Sequence, residues 1–444
     1  MERCGSEMCQ KTSHNAKLRL CAACGEAAYC SSDCQKIDWK SHKVYCGKTD
    51  RVDLQTYYPF LAVIASMCHL DPDDLHPALT HKIVNTPHPN GGDIVDLPNG
   101  SSAKLVLLGE PIPLTAIHSR EWWPTGDTDD VRHKLLRRIA SEGLQLPVAL
   151  ATCIAIVSEI YTTTAIPASE KPDYQFSGRR RVRLSYNHSP IQDFGVVYGS
   201  VRVTNQDRLA YYSLESDEFL MGQDPEDHYW IYFTTLAGDE YFLDSGMMTF
   251  NFSAVINASP YHKFESDQLP PHVPAFFYGR DQQKAIPLTN RILWNPRGRF
   301  SVLREPRLYS ILGKVEKQYC SCHDFPVISS IMDEIAGHRG SQWEKERMMN
   351  FLPYAVHLIR MNVHDREYLN FPKEPTVGFL LDPVEFSSTE EVAEDLFNYL
   401  TKWARKLKKG KISPERWEAA FRAWKEQPFA ARTRDAVDAK SITL

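Results

Sequence analysis

Cys4, Cys9, Cys21, Cys24, Cys30, Cys34, His42 and Cys46 follow one another within the first 46 residues, and hold seven of the chain's eleven cysteines. Eight soft donors in four pairs satisfy two tetrahedral metal sites with none left over, and cysteine with histidine is the donor set of zinc. The spacings carry physical sense. Cys21 and Cys24 form a C-x2-C knuckle followed by Gly25, a residue free to take a left-handed turn that aims N–H groups at sulfur. His42 and Cys46 stand four apart, on one face of a helix. Cys30 and Cys34 share that spacing at the helix start, where the positive dipole end favours thiolate. With all four positions of each site filled by protein, no place is left for a reacting water, so the metal is structural rather than catalytic.

Charge points the same way. Residues 1–50 hold eight Lys/Arg and six Asp/Glu, so seven thiolates make the segment strongly negative and two Zn2+ bring it back near neutral. The segment has few apolar residues to form a core, and metal binding is expected to supply most of its folding free energy.

The stretches C-x2-C (21–24), YCSSDCQKIDW (29–39) and HKVYC (42–46) together resemble the MYND-type zinc finger. The resemblance covers about a tenth of the chain and implies interleaved ligands. Cys4, Cys9, Cys30 and Cys34 would bind one zinc, and Cys21, Cys24, His42 and Cys46 the other. The first pair departs from the pattern, with four intervening residues where two are usual, so the loop GSEM must bulge; His14 is the spare ligand nearby. The resemblance also assigns Gln35 and Trp39, four apart on the helix, to a shallow groove for proline-containing peptides. Trp39 offers a flat apolar face to proline rings and Gln35 hydrogen bonds to peptide backbone. The alternative is that Trp39 only packs the small domain.

A chain of 444 residues exceeds one ordinary core. Its 43% apolar and 24% charged content is that of a globular protein, and a net charge of −5 does not point to nucleic acid. The N-terminus MERCGSEMCQ has no apolar signal region, and VALATCIAIV (148–157) is about half a membrane span. These features, with clustered cysteines, place the expected protein inside the cell, nucleus or cytoplasm unresolved, away from membranes. Residues 401–444 hold 12 Lys/Arg against 5 Asp/Glu, which reads as a solvated helix face. GRRRVR (178–183) reads as an exposed strand start.

The patterns predict an α+β protein in three parts: a finger at 1–48, an α+β body at 49–300 and a mainly helical part at 301–444. Helices are expected at 54–70, 127–143 and 148–164. A mostly antiparallel sheet follows at about 181–244, with a tight turn at Ala237-Gly238-Asp239. Residues 253–300 read as irregular and proline-rich. Helices return at 306–312, 326–337, 341–361, 388–408 and 413–426, with Ser388/Glu391 and Ser413-Pro414 as start signals. The general run of the body resembles fungal MYND-domain proteins, which implies no activity.

Two enzyme readings compete with a non-enzymatic adaptor. YNHSP (186–190) and CSC (320–322) are similar to fragments of SET-domain lysine methyltransferases. The cysteine and second asparagine of the first motif are missing, as is the third cysteine of the second. The other reading is a transglutaminase or papain-like thiol site that joins Cys153, His228 and Asp244 as nucleophile, base and orienter, in a pattern that resembles the transglutaminase core. Cys153 sits among Val, Ala, Leu and Ile, where a buried, inert thiol is the ordinary case.

Overall fold

The computed structural model describes residues 4–161 except 13–14, 22–23, 25–26, 45, 71–74, 88–93, 98–99, 118 and 127; then 181–262, 270–279, 294–315 and 324–379; and a few positions between 405 and 419. His14, Gly25, Cys320, Cys322, Arg179 and Arg180 of the basic run, and most of the two last expected helices lie outside the described residues.

The chain opens with a two-stranded ribbon, β1 (Arg19–Leu20) against β2 (Ala28–Tyr29), and one helix, α1 (Ser32–His42). Ser31 starts α1: its hydroxyl accepts the Cys34 N–H at 3.2 Å, and Asp33 lies in the first turn, where the dipole favours it. No residue of α1 is buried. An apolar face therefore does not hold this helix, and something else must.

The body begins at β3 (Thr49–Asp53), whose last residue caps α2 (Leu54–Met67) through Asp53 Oδ1 and the Gln55 N–H at 2.9 Å. Then come β4 (Ser102–Pro111), α3 (Asp129–Ala140) and α4 (Gln145–Ile156). Thr128 caps α3, its hydroxyl accepting the Val131 N–H. The strands β5 (Arg181–Tyr186), β6 (Ser189–Val201), β7 (Leu209–Ser213), β8 (His228–Thr235) and β9 (Glu240–Asp244) follow, with the short strand Glu218–Met221 between β7 and β8. β10 (Trp294–Ser301) leads to α5 (Pro306–Val315), α6 (Phe325–Ala336) and α7 (Gln342–His364). Ser341 and Glu344 form a reciprocal capping box at the start of α7.

The larger sheet runs Phe276–Gly279, β9, β8, β6, β5, β3, with β10 also paired to β6. α4 lies against β8 and β6 on one side and against α7 and α2 on others. All twelve of its residues are buried, as expected of a helix apolar on every face. A second sheet joins Glu218–Met221, β7, β4 and His81–Ile83, with Ile94–Asp96 on β4; Trp122, Trp123, Leu135 and Ile139 pack in its core. Both sheets are mostly antiparallel, but β3 runs parallel to β5 and β4 parallel to β7. Asn187 and His188 both take positive φ in the tight β5–β6 turn, so the YNHSP fragment is a hairpin, not a cofactor loop. Gly238, at φ +90°, makes the expected β8–β9 turn.

One expectation is corrected. The 253–300 region is not simply irregular: it contains Ala254–Asn257, His272–Pro274, Phe276–Gly279 and β10. β10 tolerates Pro296 because its pairing with β6 shifts register between Pro296 and Gly298. The architecture is α+β, as the patterns predict. Among the described residues no single helix is long and apolar enough to cross a membrane.

β3 makes a specific demand on the N-terminal edge of the body. Each of its residues has a partner on β5, from Thr49 with Arg181 to Asp53 with Ser185, and Val52 is buried. A chain beginning at Lys48 keeps the strand and should unfold in one cooperative transition in urea. A chain beginning at Leu54 loses the strand and the α2 cap and should be less stable by at least about 2 kcal/mol. A molten chain from Lys48 would show instead that the body needs the finger.

Candidate metal centre

The ribbon and α1 bring the eight donors into two groups. Cys4, Cys9, Cys30 and Cys34 place their sulfurs within 4.8 Å of one another, and Cys21, Cys24, His42 and Cys46 place their ligand atoms equally close. Individual separations are 3.6 Å for Cys9–Cys30, 3.5 Å for Cys30–Cys34, 3.8 Å for Cys21–Cys46 and 3.4 Å for Cys24 Sγ to His42 Nε2. A tetrahedron of zinc–sulfur bonds near 2.3 Å has edges of about 3.8 Å, whereas a disulfide would bring two sulfurs to about 2 Å. These cysteines form no disulfide and stand at the spacing of a shared cation.

Local backbone explains how each donor reaches its place. In the C-x4-C loop the Cys9 N–H donates to Ser6 O at 2.9 Å, closing a turn. The Cys4 N–H donates to Lys11 O and the Gly5 N–H to Ala28 O, which ties the loop to β2. The two extra residues are accommodated by projecting Met8, 87% exposed, into solvent. Cys21 N–H donates to Ala27 O at the ribbon's end, and Cys46 N–H to His42 O continues the line of α1. Tyr29, almost wholly buried, donates its hydroxyl to Asp38 at 2.6 Å and locks β2 to the middle of α1. The Arg51 guanidinium on β3 donates to the Cys24 carbonyl, joining the finger to the body. The spacing of Tyr29 before Cys30 and of Asp38 beside Trp39 was present in the sequence, but their bond depends on a fold the metal completes.

Burial and neighbouring thiols make Cys24, Cys30 and Cys46 poor acids without a cation. The Cys30 thiol is pushed up to about 12 by its hydrogen bond with Cys34, by burial and by Cys9. Cys46 is pushed up to about 12 by burial and by Cys21, and Cys24 is raised by burial and the neighbouring Cys21. At Cys4 burial pushes up, but backbone N–H groups of Cys30 and Ser6 outweigh it and bring the thiol down to about 7. Four adjacent thiolates are unfavourable unless a divalent ion neutralises them, which is what zinc supplies. The donor sets, Cys4 and Cys3His, fit two zinc ions.

On the same helix Gln35 is half-buried and Trp39 remains 44% exposed. The Trp39 ring packs at 5.8 Å from the His42 ring, tilted by 56°, so one edge is braced by a metal ligand.

In the body, His228 and Asp244 meet as expected from adjoining strands: Nε2 lies 2.7 Å from Asp244 Oδ2, with both side chains buried. Cys153 does not complete this group. It stands eight residues beyond Gln145, the residue of α4 that reaches the β8 backbone, a rise of about 12 Å along the helix. It lies wholly buried in the apolar core, where burial pushes its thiol far above the ordinary range. Cys153 is thus the buried thiol that the sequence favours, and the competing Cys153–His228–Asp244 triad reduces to a histidine–aspartate pair.

Residues 4–46 match the family model of the MYND finger. SET domain-containing protein 14 of Caenorhabditis elegans is 58% identical over 31 residues of the finger region, 7% of this chain and 7% of that protein. The chain thus spans a small fraction of the curated relative it matches. No solved structure matches.

Metal analysis of the purified chain should return about two zinc ions, and Cys30→Ser should release one while leaving the other. Chelation should abolish the finger's structure, seen as loss of its amide dispersion in NMR. Because Cys30 and Cys46, one in each site, hold their protons at neutral pH until metal enters, zinc affinity should rise by about tenfold or more per pH unit between pH 6 and 8. A pH-independent affinity would show that the thiols are already ionised.

Proposed function

We propose that this protein is a non-enzymatic, zinc-dependent adaptor whose finger presents Gln35 and Trp39 to a proline-containing segment of another protein. A MYND finger at 4–46 suggests zinc-dependent protein–protein interaction. One observation supports the finer reading: Trp39 keeps much of its indole in solvent on a helix that buries no residue, while His42 fixes the ring from behind. A large aromatic held rigid and exposed loses little entropy on contact, the property that favours it at binding surfaces. Gln35, one turn earlier on that face, supplies the amide that a proline-rich backbone lacks partners for. The metal's part is to hold the helix against the ribbon; it takes no part in chemistry.

The proposed setting is a reducing intracellular compartment, where thiol ligands persist without oxidation. The proposed division remains a finger at 1–48, a body at 49–300 and a mainly helical part at 301–444. The relative's name refers to a SET domain, but the shared segment is confined to the finger region, and the YNHSP fragment here is a hairpin turn.

A surface this small should bind with a dissociation constant on the order of 10–1000 μM. Titration of the full chain with a proline-rich peptide should shift the Trp39 indole resonance. Trp39→Ala should weaken binding at least about tenfold with both zinc ions retained, and Lys40→Ala, about 100° around the helix, should change it little. Equal binding by the Trp39→Ala protein would place the interaction elsewhere.

A further inference from the structure

The histidine–aspartate pair of the body is built with more care than a buried polar contact requires. Asp244 Oδ2 accepts from Trp294 Nε1 at 2.7 Å as well as meeting His228 Nε2, and Oδ1 accepts the Gly246 N–H at 2.8 Å. The imidazole, 0% exposed, is walled by Trp230 and Phe250, with ring centroids 5.7 and 5.9 Å away. With Nε2 committed to Asp244, Nδ1 is the working end of the ring, and this buried atom has no hydrogen-bond partner among the described residues.

Gln145 shares this space. It is 7% exposed and opens α4; its Oε1 accepts the Tyr229 N–H at 3.3 Å, and its buried Nε2 is likewise unpartnered among the described residues. Gly246 reports how close the two groups are. A Cβ there would stand 2.8 Å from Gln145 Cδ, 2.9 Å from Gln145 Nε2 and 3.1 Å from His228 Cε1, the ring carbon between Nδ1 and Nε2. The approach to Gln145 is also unusual: Gly143 has φ +78° and Leu144 φ +20°, a conformation costly for leucine.

A side chain at the N-terminus of a buried helix, sharing the space around Gly246 with an imidazole whose Nε2 is fixed by a carboxylate, occupies the region in which an activated nucleophile would stand. The helix end favours a thiolate, the imidazole takes its proton, and the carboxylate orients the ring. We infer that Gln145 stands in the nucleophile position of a thiol-type triad, with His228 in the position of the base and Asp244 as its orienting carboxylate. The body thus carries the frame of an acyl-transfer site in a form that lacks the attacking atom. A carboxamide's nitrogen lone pair is delocalised into its carbonyl and its N–H is too weak an acid for an imidazole to ionise, so the site is silent by the identity of one residue. The inference concerns the body and stands independently of the finger.

Replacing Gln145 by cysteine in the full-length, zinc-loaded protein tests it. The probe is iodoacetamide: a sulfur–carbon bond forms, iodide leaves, and the thiol proton passes to His228 Nδ1. Peptide mapping should find alkylation at position 145 at neutral pH at least tenfold faster than for free cysteine, with Cys153 unmodified. Adding His228→Gln should remove that enhancement, and a cysteine at position 144 should not show it. A thiol at 145 that reacts no faster than free cysteine, or equally fast without the imidazole, overturns the inference. If Q145C does not fold, Gln145→Ser with p-nitrophenyl acetate is the second test. Acylation at position 145 with a burst of nitrophenolate that needs His228 supports the assignment, and its absence in the folded variant overturns it.

Discussion

Electrostatic crowding of thiols is the constraint from which the finger follows. Seven cysteine sulfurs and one imidazole converge on two points in a segment whose helix buries none of its own side chains. In the absence of a cation Cys30 resists ionisation through its hydrogen bond with Cys34 and Cys46 through burial, with the neighbouring thiols adding to both. Two divalent ions reverse the sign of that repulsion and take the place of an apolar core. The ribbon, the Tyr29–Asp38 bond and the helix register then act as consequences of a metal-set geometry.

The same constraint leaves the proposed binding surface exposed. Since zinc holds α1 from the ligand side, its remaining faces are not needed for packing, and Trp39 stays in solvent with its ring set by His42. In the body the usual physics governs. α4 is buried all round between a sheet and two helices, and its polar first residue accepts the Tyr229 N–H, next in the chain to His228. The two halves of the protein therefore stabilise themselves by different means, with the Arg51–Cys24 contact joining them.

The ligands were legible in the sequence because metal coordination imposes short, fixed intervals, and the eight donors fall into the two groups that the interleaved pattern implies. Long apolar segments were equally plain, and α2, α4 and α7 lie where periodicity puts them, with shifted ends. Sequence was less informative where partners are distant. β3 and β5 pair in parallel across about 130 residues, and β10 joins β6 despite its proline and arginines, features that local pattern reads as loop. Cys153 attracted attention as a thiol on the right helix. Which end of that helix meets His228 is decided by tertiary packing, and that end belongs to Gln145.

Zinc is the proposed organiser of an interaction surface, and the most direct test couples metal to binding. The full chain would be titrated with a proline-rich peptide as isolated, after chelation, and after zinc is restored, with Trp39 followed by NMR. Binding should vanish with the metal and return with it, because Gln35 and Trp39 share a face only while α1 is held. Undiminished binding by the metal-free chain would contradict the account.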